Sequence, residues 1–149
     1  MERSEYMRRA MALAAQAAGT GDVPVGCVIV KDGKIVGEGR NRREERGDAT
    51  AHAELEAIRD ACAALGRWRL SDCELYVTME PCPMCAGAII NARLAAVHYG
   101  ARDEKAGACA SVLNLFEERF NHKPRVYAGE LEGECAGQLQ EFFQKLREK

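Results

Sequence analysis

The feature that most constrains the fold is the stretch from residue 74 to residue 92, where a strand pattern changes directly into a helical one. The run ELYVTME is rich in apolar and β-branched residues, and a helix is predicted from Cys82 to about Ala92. Pro83 suits the first turn of that helix, because its missing N–H would have no partner there. This unit predicts a sheet with helices packed against it.

The amino-terminal segment predicts an amphipathic helix and then a β-hairpin. A pair of arginines before an alanine-rich run imitates a signal peptide, but the acidic residues beside them do not fit one. The runs VPVGCVIV and KIVGEGRN are typical of strands, and Asp32–Gly33 between them suits a tight turn. The apolar positions of the first helix are Tyr6, Ala10, Leu13 and Ala17.

The remaining elements continue the alternation of helices and strands. After a polar loop through Gly47, a helix is predicted with Leu55, Ile58, Cys62 and Leu65 at helical spacing. AAVHYGA and RVYAGEL predict two further strands, with a short helix in ASVLNLFEER between them. The last helix has one apolar face formed by Leu139, Phe142, Phe143 and Leu146. We therefore expect residues 1–149 to form a single α/β domain around a mixed sheet.

Composition excludes several classes of protein. The chain has 47% hydrophobic and 30% charged residues, which is typical of a folded globular protein. No apolar run approaches the roughly 20 residues that span a bilayer, so no membrane association is expected. Seven cysteines cannot all pair within one chain, and reduced thiols are the default in the expected cytoplasmic location. The net charge of −2 gives no general sign of nucleic-acid binding.

The Cys-x-x-Cys pair formed by Cys82 and Cys85 could bind a metal, form a redox disulfide or fill a core. Both thiols lie at a predicted helix start, whose positive end favours the thiolate that binds metals. His52 and Glu54 lie at another predicted helix start in TAHAE. Imidazole and two thiolates suit zinc, and three protein ligands leave one position for water, as in catalytic sites.

The combination of His-x-Glu with Pro-Cys-x-x-Cys resembles the signature of zinc-dependent nucleobase deaminases. The resemblance implies one Zn²⁺ per subunit, held by His52, Cys82 and Cys85. It also implies that zinc-activated water attacks the amino-bearing carbon of the base. Glu54 would then be the catalytic proton shuttle, which takes a proton from that water and delivers it to a ring nitrogen.

Further stretches narrow the resemblance. From about Tyr6 to Phe143 the chain resembles the bacterial tRNA-specific adenosine deaminases, in VPVGCVIV, GEGRNRR, TAHAE, LYVTMEPCPMCAGAI, YGARDEKAGA and RFNH. This resemblance implies a three-layer α/β/α cytidine-deaminase-like fold with a mixed, roughly five-stranded sheet, assembled as a homodimer. It implies hydrolysis of adenosine to inosine at the wobble position of a tRNA anticodon, within the anticodon stem-loop of an arginine tRNA.

The same resemblance assigns substrate contacts. Asn41 is expected to hydrogen-bond the target base, and Val25 with the Ala53 backbone to shape its pocket. The alternatives for Asn41 and Val25 are a turn residue and a core valine. Asp103 is expected near the target ribose, where a carboxylate can accept a hydrogen bond from the 2′-hydroxyl that distinguishes RNA from DNA. The alternative for Asp103 is an ion pair with a neighbouring basic side chain.

The approach to the site is expected to be basic. Asn121 and His122 of RFNH are expected to hold flanking nucleotides, with a loop cap as the alternative for Asn121. Any single basic side chain is more often a solvated charge than a phosphate contact. The set expected to bracket the site is Arg40, Arg42, Arg43, Arg102, Lys105, Arg119, Lys123 and Arg125.

Other functions use the same residues differently. A zinc-dependent deaminase of a free base such as guanine or cytosine keeps the metal chemistry without the RNA contacts, and the mildly acidic charge favours it. A zinc-stabilised scaffold or partner subunit has no use for Glu54, and a thiol–disulfide enzyme explains neither His52 nor Glu54. The other cysteines are expected to be small buried or surface thiols: Cys27, Cys62, Cys73, Cys109 and Cys135.

Overall fold

Five strands form one mixed sheet in the computed structural model, which describes residues 2–148. The strands are β1 (Gly26–Lys31), β2 (Lys34–Arg40), β3 (Glu74–Met79), β4 (Ala96–Ala101) and β5 (Arg125–Ala128). Their order in the sheet is β2-β1-β3-β4-β5. Strand β1 runs antiparallel to β2 and to β3, whereas β3, β4 and β5 are parallel. The predicted hairpin is present, and both residues of its turn have a positive φ.

Helices cover both faces of this sheet. They are α1 (Arg3–Gly19), the short α2 (Arg43–Arg46), α3 (Ala53–Leu65), α4 (Pro83–Ala92) and α5 (Glu132–Arg147). Helices α3 and α4 share one core with alternate strand residues such as Cys27 and Ile29. Helices α1 and α5 share the other core with Val28 and Val30, because successive side chains of a strand face opposite sides. The predicted three-layer α/β/α arrangement is confirmed.

Helix α3 approaches β2 closely because small residues meet there. A Cβ atom on Gly39 would lie 2.3 Å from the backbone oxygen of Ala53, so only glycine allows this contact. The helix presents fully buried alanines at Ala57 and Ala61 to the sheet. The larger apolar residues that indicated the helix flank this contact and are only half-buried: Leu55, Ile58, Cys62 and Leu65.

The segment after β4 differs from the prediction. A short helix was expected in ASVLNLFEER, but the structure has only a 3₁₀ turn at Leu115–Glu117. Asn114 caps this turn, since its side-chain oxygen accepts a hydrogen bond from the Phe116 N–H at 3.0 Å. The rest of residues 102–124 is irregular backbone. Local pattern predicted the apolar character of this segment but not its conformation.

The two helices of the second face also differ in how well they match their patterns. The four apolar positions predicted for α1 are all buried. In α5, Leu139 is buried, but Phe143 is 39% and Leu146 is 56% exposed. The predicted apolar face of α5 therefore packs on the sheet only through its first turns. Among residues 2–148, no helix is both long and apolar enough to cross a membrane.

The two edges of the sheet are β2 and β5. Strand β5 has only four residues. On β2, the carboxylate of Asp60 from α3 accepts the outward backbone N–H of Glu38 at 2.9 Å. The Glu38 carboxylate is in turn held by Arg9 of α1 through two hydrogen bonds, of 2.6 and 2.9 Å. Side chains from both helical layers therefore occupy the middle of the β2 edge.

Candidate active site

The starts of α3 and α4 meet beside the end of β3. His52 is the N-cap residue of α3, Cys82 is the N-cap residue of α4, and Cys85 lies in the first turn of α4. His52 Nδ1 is 3.7 Å from Cys82 Sγ and 3.5 Å from Cys85 Sγ. All three donor atoms lie within 4.8 Å of one another. The structure thus brings together the three residues that were predicted as metal ligands.

The chemistry and spacing of these donors fit zinc. Zinc binds thiolates at about 2.3 Å and imidazoles at about 2.0 Å, so tetrahedral geometry separates the donor atoms by about 3.6 Å. The measured separations from His52 match this value. Within residues 2–148, the cluster contains no fourth His, Cys, Asp or Glu. A set of three protein ligands is typical of a catalytic rather than a structural zinc site.

The two thiols of the cluster differ in their electrostatics. A hydrogen bond donated by Cys85 lowers the pKa of the Cys82 thiol to about 4, so Cys82 is a thiolate at neutral pH. The same hydrogen bond, together with burial, raises the pKa of Cys85 well above its usual range. The prediction that both thiols bind a metal as thiolates stays a prediction, because one hydrogen bond between them lowers the pKa of one thiol and raises that of the other. Because metals bind the thiolate, a metal must displace the Cys85 proton.

Glu54 lies in the first turn of α3 and is only 4% exposed. Burial raises the pKa of its carboxyl to about 7, although its own backbone N–H and the nearby His52 act in the opposite direction. A carboxyl with this pKa exchanges protons readily near neutral pH. An ordinary surface glutamate would be exposed and ionised, so the surface interpretation of Glu54 does not hold.

A cavity of about 180 Å³ opens beside this cluster. It is smaller than the pockets of several hundred Å³ that hold drug-sized ligands, so its volume suits a single base. Its lining includes most of the residues that were predicted for the site. The lining residues are Val23, Val25, Asn41, Arg43, His52, Ala53, Glu54, Met79, Glu80, Cys82 and Asp103.

Asn41 is fixed by the backbone around it but retains capacity for a ligand. Its Nδ2 donates to the Val23 carbonyl at 3.2 Å, and its Oδ1 accepts from the Arg43 N–H at 3.1 Å. One amide N–H and one oxygen lone pair are left for a ligand. Ala53 is the first residue of α3, so its backbone N–H has no partner within the helix. Val25 adds a half-buried apolar wall.

Asp103 also lines the cavity. Its Oδ1 accepts hydrogen bonds from the backbone N–H groups of Lys105 and Ala106, each at 3.1 Å. The alternative of an ion pair with Arg102 or Lys105 is not what the structure shows, because Asp103 contacts Lys105 through backbone and Arg102 lies 3.9 Å from Glu132. The side chain still has hydrogen-bonding capacity for a ligand, because a carboxylate has two acceptor oxygens and both of these bonds go to Oδ1.

Asn121 and His122 do not line this cavity. Asn121 is exposed, and His122 Nε2 donates to the Leu94 carbonyl at 2.7 Å. Leu94 follows the last turn of α4, whereas Cys82 caps the first turn, about 15 Å away along the helix. The predicted contact of Asn121 and His122 with flanking nucleotides stays a prediction, because neither residue lines the cavity of its own chain.

The predicted basic residues are only partly directed to the site. Arg43 lines the cavity. Arg40 and Arg42 instead bond to Glu45, at 3.3 and 2.8 Å, in a groove between α1, β2 and α3. The others are exposed around the 102–125 segment, and they are Arg102, Lys105, Arg119, Lys123 and Arg125.

Sequence reasoning missed Glu80, which lies directly before the Pro-Cys-x-x-Cys motif. It lines the cavity and is 3% exposed. Burial acts to raise the pKa of its carboxyl, but hydrogen bonds from Ser111 and from backbone N–H groups outweigh this effect and lower it. The signal in the sequence was an acidic residue at a strand end that should be buried. The other cysteines are confirmed as free thiols, four buried and Cys62 half-buried.

Comparison with known proteins gives the arrangement a family context. Residues 1–147 match the MafB19-like deaminase family. A tRNA-specific adenosine deaminase of Bacillus subtilis (strain 168) is 48% identical over 145 residues, which are 97% of this chain and 90% of that protein. A solved structure from studies of A-to-I editing by tRNA:A34 deaminases is 45% identical, with a TM-score of 0.89 over 92% of this chain and 100% of the other. A guanine deaminase from Bacillus subtilis is 38% identical, with a TM-score of 0.66, and the match covers all of this chain and 96% of that one.

Proposed function

Because the chain belongs to the tRNA-specific adenosine deaminases and matches the MafB19-like deaminase family, we infer that it converts adenosine to inosine at the wobble position of a tRNA anticodon. The observation that carries this inference is one base-sized cavity lined by two of the three clustered metal donors, a buried glutamate and two polar side chains suited to a nucleoside. We propose that residues 1–149 form a single deaminase domain located in the cytoplasm.

We propose that His52, Cys82 and Cys85 hold one Zn²⁺ in each subunit. When bound, zinc supplies a Lewis acid that lowers the pKa of a water ligand to about 7. Glu54 is the proton shuttle of the reaction. Its buried carboxylate accepts a proton from the attacking water, passes it to the ring nitrogen beside the amino-bearing carbon, and then helps ammonia to leave.

The proposed contacts to the base and the ribose come from residues that line the cavity. The free amide N–H and lone pair of Asn41, with the Ala53 backbone and Val25, orient the adenine edge. The free oxygen of Asp103 accepts a hydrogen bond from the ribose 2′-hydroxyl. Support for these roles comes from the position of the four residues around one cavity that also contains Glu54.

An anticodon loop is a suitable substrate for such a cavity. Its bases are already unpaired, so turning one base into the pocket costs less than extracting it from a duplex. Arg43 at the cavity and the exposed basic residues of the 102–125 segment supply positive charge for phosphates on a chain whose net charge is −2. An arginine tRNA is the proposed substrate.

A homodimer is supported by exposed apolar side chains on the α4 side of the molecule. Met84 of α4 is 36% exposed, and the 112–120 segment, which contacts α4, exposes Val112, Leu113 and Phe120 at 56%, 43% and 49%. Burial of such side chains against a second copy would remove apolar surface from water. With a second copy at this face, Asn121 and His122 of one subunit could contact nucleotides at the cavity of the partner subunit.

The second candidate is deamination of a free base such as guanine. It is favoured by the 38% identity to the Bacillus subtilis guanine deaminase. The same metal donors and Glu54 would serve it, because both reactions replace an exocyclic amine by oxygen. Asp103 and the basic residues have no role in that reaction, and for this reason we rank it second.

Ammonia release by the zinc-loaded protein separates the two candidates. The substrates are an arginine-tRNA anticodon stem-loop with adenosine at the wobble position, the same stem-loop with guanosine there, and free guanine and cytosine. We expect ammonia and one inosine per molecule from the first RNA alone. Release from a free base alone would contradict the tRNA function and leave the metal chemistry intact.

A further inference from the structure

The carboxylate of Glu80 is bonded almost entirely by backbone N–H groups of one loop. Glu80 directly follows β3 and is 3% exposed. Its Oε2 accepts hydrogen bonds from the N–H groups of Cys109, Ala110 and Ser111, at 3.1, 3.0 and 3.0 Å. Three successive N–H groups directed at one oxygen form an anion-binding nest, which here holds a side chain of the same molecule.

The other oxygen of Glu80 binds both ends of the same loop. Its Oε1 accepts the backbone N–H of Asp103 at 3.2 Å and the hydroxyl of Ser111. The middle of the loop also packs on this carboxylate, because a Cβ on Gly107 would lie 2.4 Å from Glu80 Cδ. Residues 103–111, called here the 103–111 loop, are therefore closed around one carboxylate that lies next to the cavity.

We propose that Glu80 is a positioning residue for substrate binding, which holds the 103–111 loop so that Asp103 faces the target ribose. The proposal rests on the proposed function and deepens it. A glutamate that served stability alone would have no reason to line the cavity together with the residue it holds, whereas Glu80 and Asp103 share that cavity. The contact from Glu80 reaches the backbone of Asp103 itself.

Glu80→Gln tests this role with little change in size. One end of the glutamine amide is a donor, so it cannot accept hydrogen bonds from N–H groups at both ends, and one group of donors is left without an acceptor. Because each lost bond to a charged group is substantial, we expect KM for the stem-loop to rise about tenfold or more. We expect kcat to change much less, since His52, Cys82, Cys85 and Glu54 are untouched.

The control variant is Glu117→Gln. Glu117 lies in the 102–125 segment but outside the 103–111 loop, and it is exposed. The same chemical change there should leave KM unaltered. Zinc content and melting temperature of both variants are measured with the kinetics. If Glu80→Gln proves too unstable, Ser111→Ala removes a single hydrogen bond to the carboxylate and should raise KM in the same direction by a smaller factor.

Combination with Asp103→Asn distinguishes positioning from general stabilisation. If Glu80 acts through Asp103, the two changes are not additive, and Glu80→Gln has little further effect on KM in the Asp103→Asn background. Backbone hydrogen exchange should also become faster at Cys109–Ser111 in Glu80→Gln while β3 and α4 stay protected. Fully additive effects would overturn the proposal.

The controls also separate this proposal from the proposed function. If the unmodified protein does not deaminate the stem-loop, the proposed function has failed and loop exchange alone still reports on Glu80. If the unmodified protein is active and Glu80→Gln keeps the same KM with zinc bound, the positioning role is wrong and the tRNA function stands.

Discussion

His52 and Cys82 of the metal-ligand cluster (the metal wall) and Asp103 of the 103–111 loop (the loop wall) line one cavity, but the two walls depend on different kinds of sequence information. His52, Cys82 and Cys85 lie at two helix starts, and each helix is specified by its own local pattern. The 103–111 loop contains no helix or strand, and it is bonded to Glu80, more than twenty residues earlier in the chain. Local sequence therefore specifies the clustered metal donors, whereas a long-range contact fixes the loop that carries Asp103.

Glu54→Ala should have the largest effect and should fall on the metal wall alone. Removing a buried general acid and base costs about 10²-fold to 10⁴-fold in kcat. Zinc content and the melting temperature should stay close to those of the unmodified protein. The measurement is single-turnover inosine formation with metal analysis, and substantial residual deamination would contradict the shuttle role.

Cys85→Ala should come next, because it removes a ligand from the same wall. The zinc content should fall below one ion per chain. The apparent affinity for zinc should decrease at least tenfold, and the stabilisation that zinc gives the folded protein should decrease with it. Thermal unfolding with and without a chelator measures this change. Cys73→Ala is the control. Cys73 is a buried thiol in the core that α3 and α4 share with the sheet, and it is outside the metal-donor cluster.

Asp103→Asn tests the loop wall and should leave the metal wall unchanged. Asparagine keeps an oxygen for the N–H groups of Lys105 and Ala106, but its second polar atom is an NH₂ donor, which cannot accept the proposed hydrogen bond from the 2′-hydroxyl. We expect the preference for a ribose over a deoxyribose at the target position to fall about tenfold. Glu104→Gln, at the exposed neighbouring position, serves as control. An unchanged rate ratio would refute the assignment.

The smallest effect should come from His98 of β4, and it should be seen in how stability changes with pH. His98 is stacked between Tyr76 and Tyr127, with ring centroids 4.1 and 4.7 Å away, and its Nε2 donates to Glu74 at 2.8 Å. Burial lowers the pKa of His98 from its ordinary value of 6.5, although Glu74 opposes this shift. The folded protein therefore favours neutral His98, and the unfolded chain binds the proton more tightly.

The sign of the pH dependence follows from that difference. The contribution of His98 to the free energy of unfolding should be fully present above about pH 6.5 and should decrease as the pH falls below it, because only the unfolded chain gains the proton readily. The raised pKa of Glu54 acts in the opposite direction in the same pH range, so the total slope does not isolate His98. Urea unfolding of the unmodified protein and of His98→Phe between pH 5 and pH 8 isolates it: the free energy of unfolding of the unmodified protein relative to the variant should decrease below pH 6.5, and a difference that does not change with pH would contradict the assignment.

Much of this arrangement was accessible from the sequence. The spacing of Tyr6, Ala10, Leu13 and Ala17 predicted α1, and the motifs predicted that His52, Cys82 and Cys85 would lie together. These features depend on contacts between near neighbours or on chemistry that few residue types can perform. The mixed sheet with two helical layers was also expected, whereas the order of its strands was not predicted.

The remaining features depend on tertiary contacts that leave no local pattern. The helix predicted in ASVLNLFEER does not form: the N–H groups of Val112 and Leu115 donate to carbonyls five and seven residues earlier, not four, and Asn114 caps a short turn. Arg40 and Arg42 bond to Glu45, because the short α2 brings it beside them. Both outcomes were decided by partners that the periodicity of the segment does not reveal.

The side chains over the β2 edge have a consequence for how copies of this chain can meet. An open strand edge can pair with another strand and start a growing chain of molecules. Here Asp60 occupies the outward N–H of Glu38, the ion pair with Arg9 adds charge, and the opposite edge at β5 is only four residues long. Pairing of edges into an extended sheet is therefore disfavoured. A contact between helical surfaces of two copies, as in the proposed homodimer, would instead bury its own interface and stop.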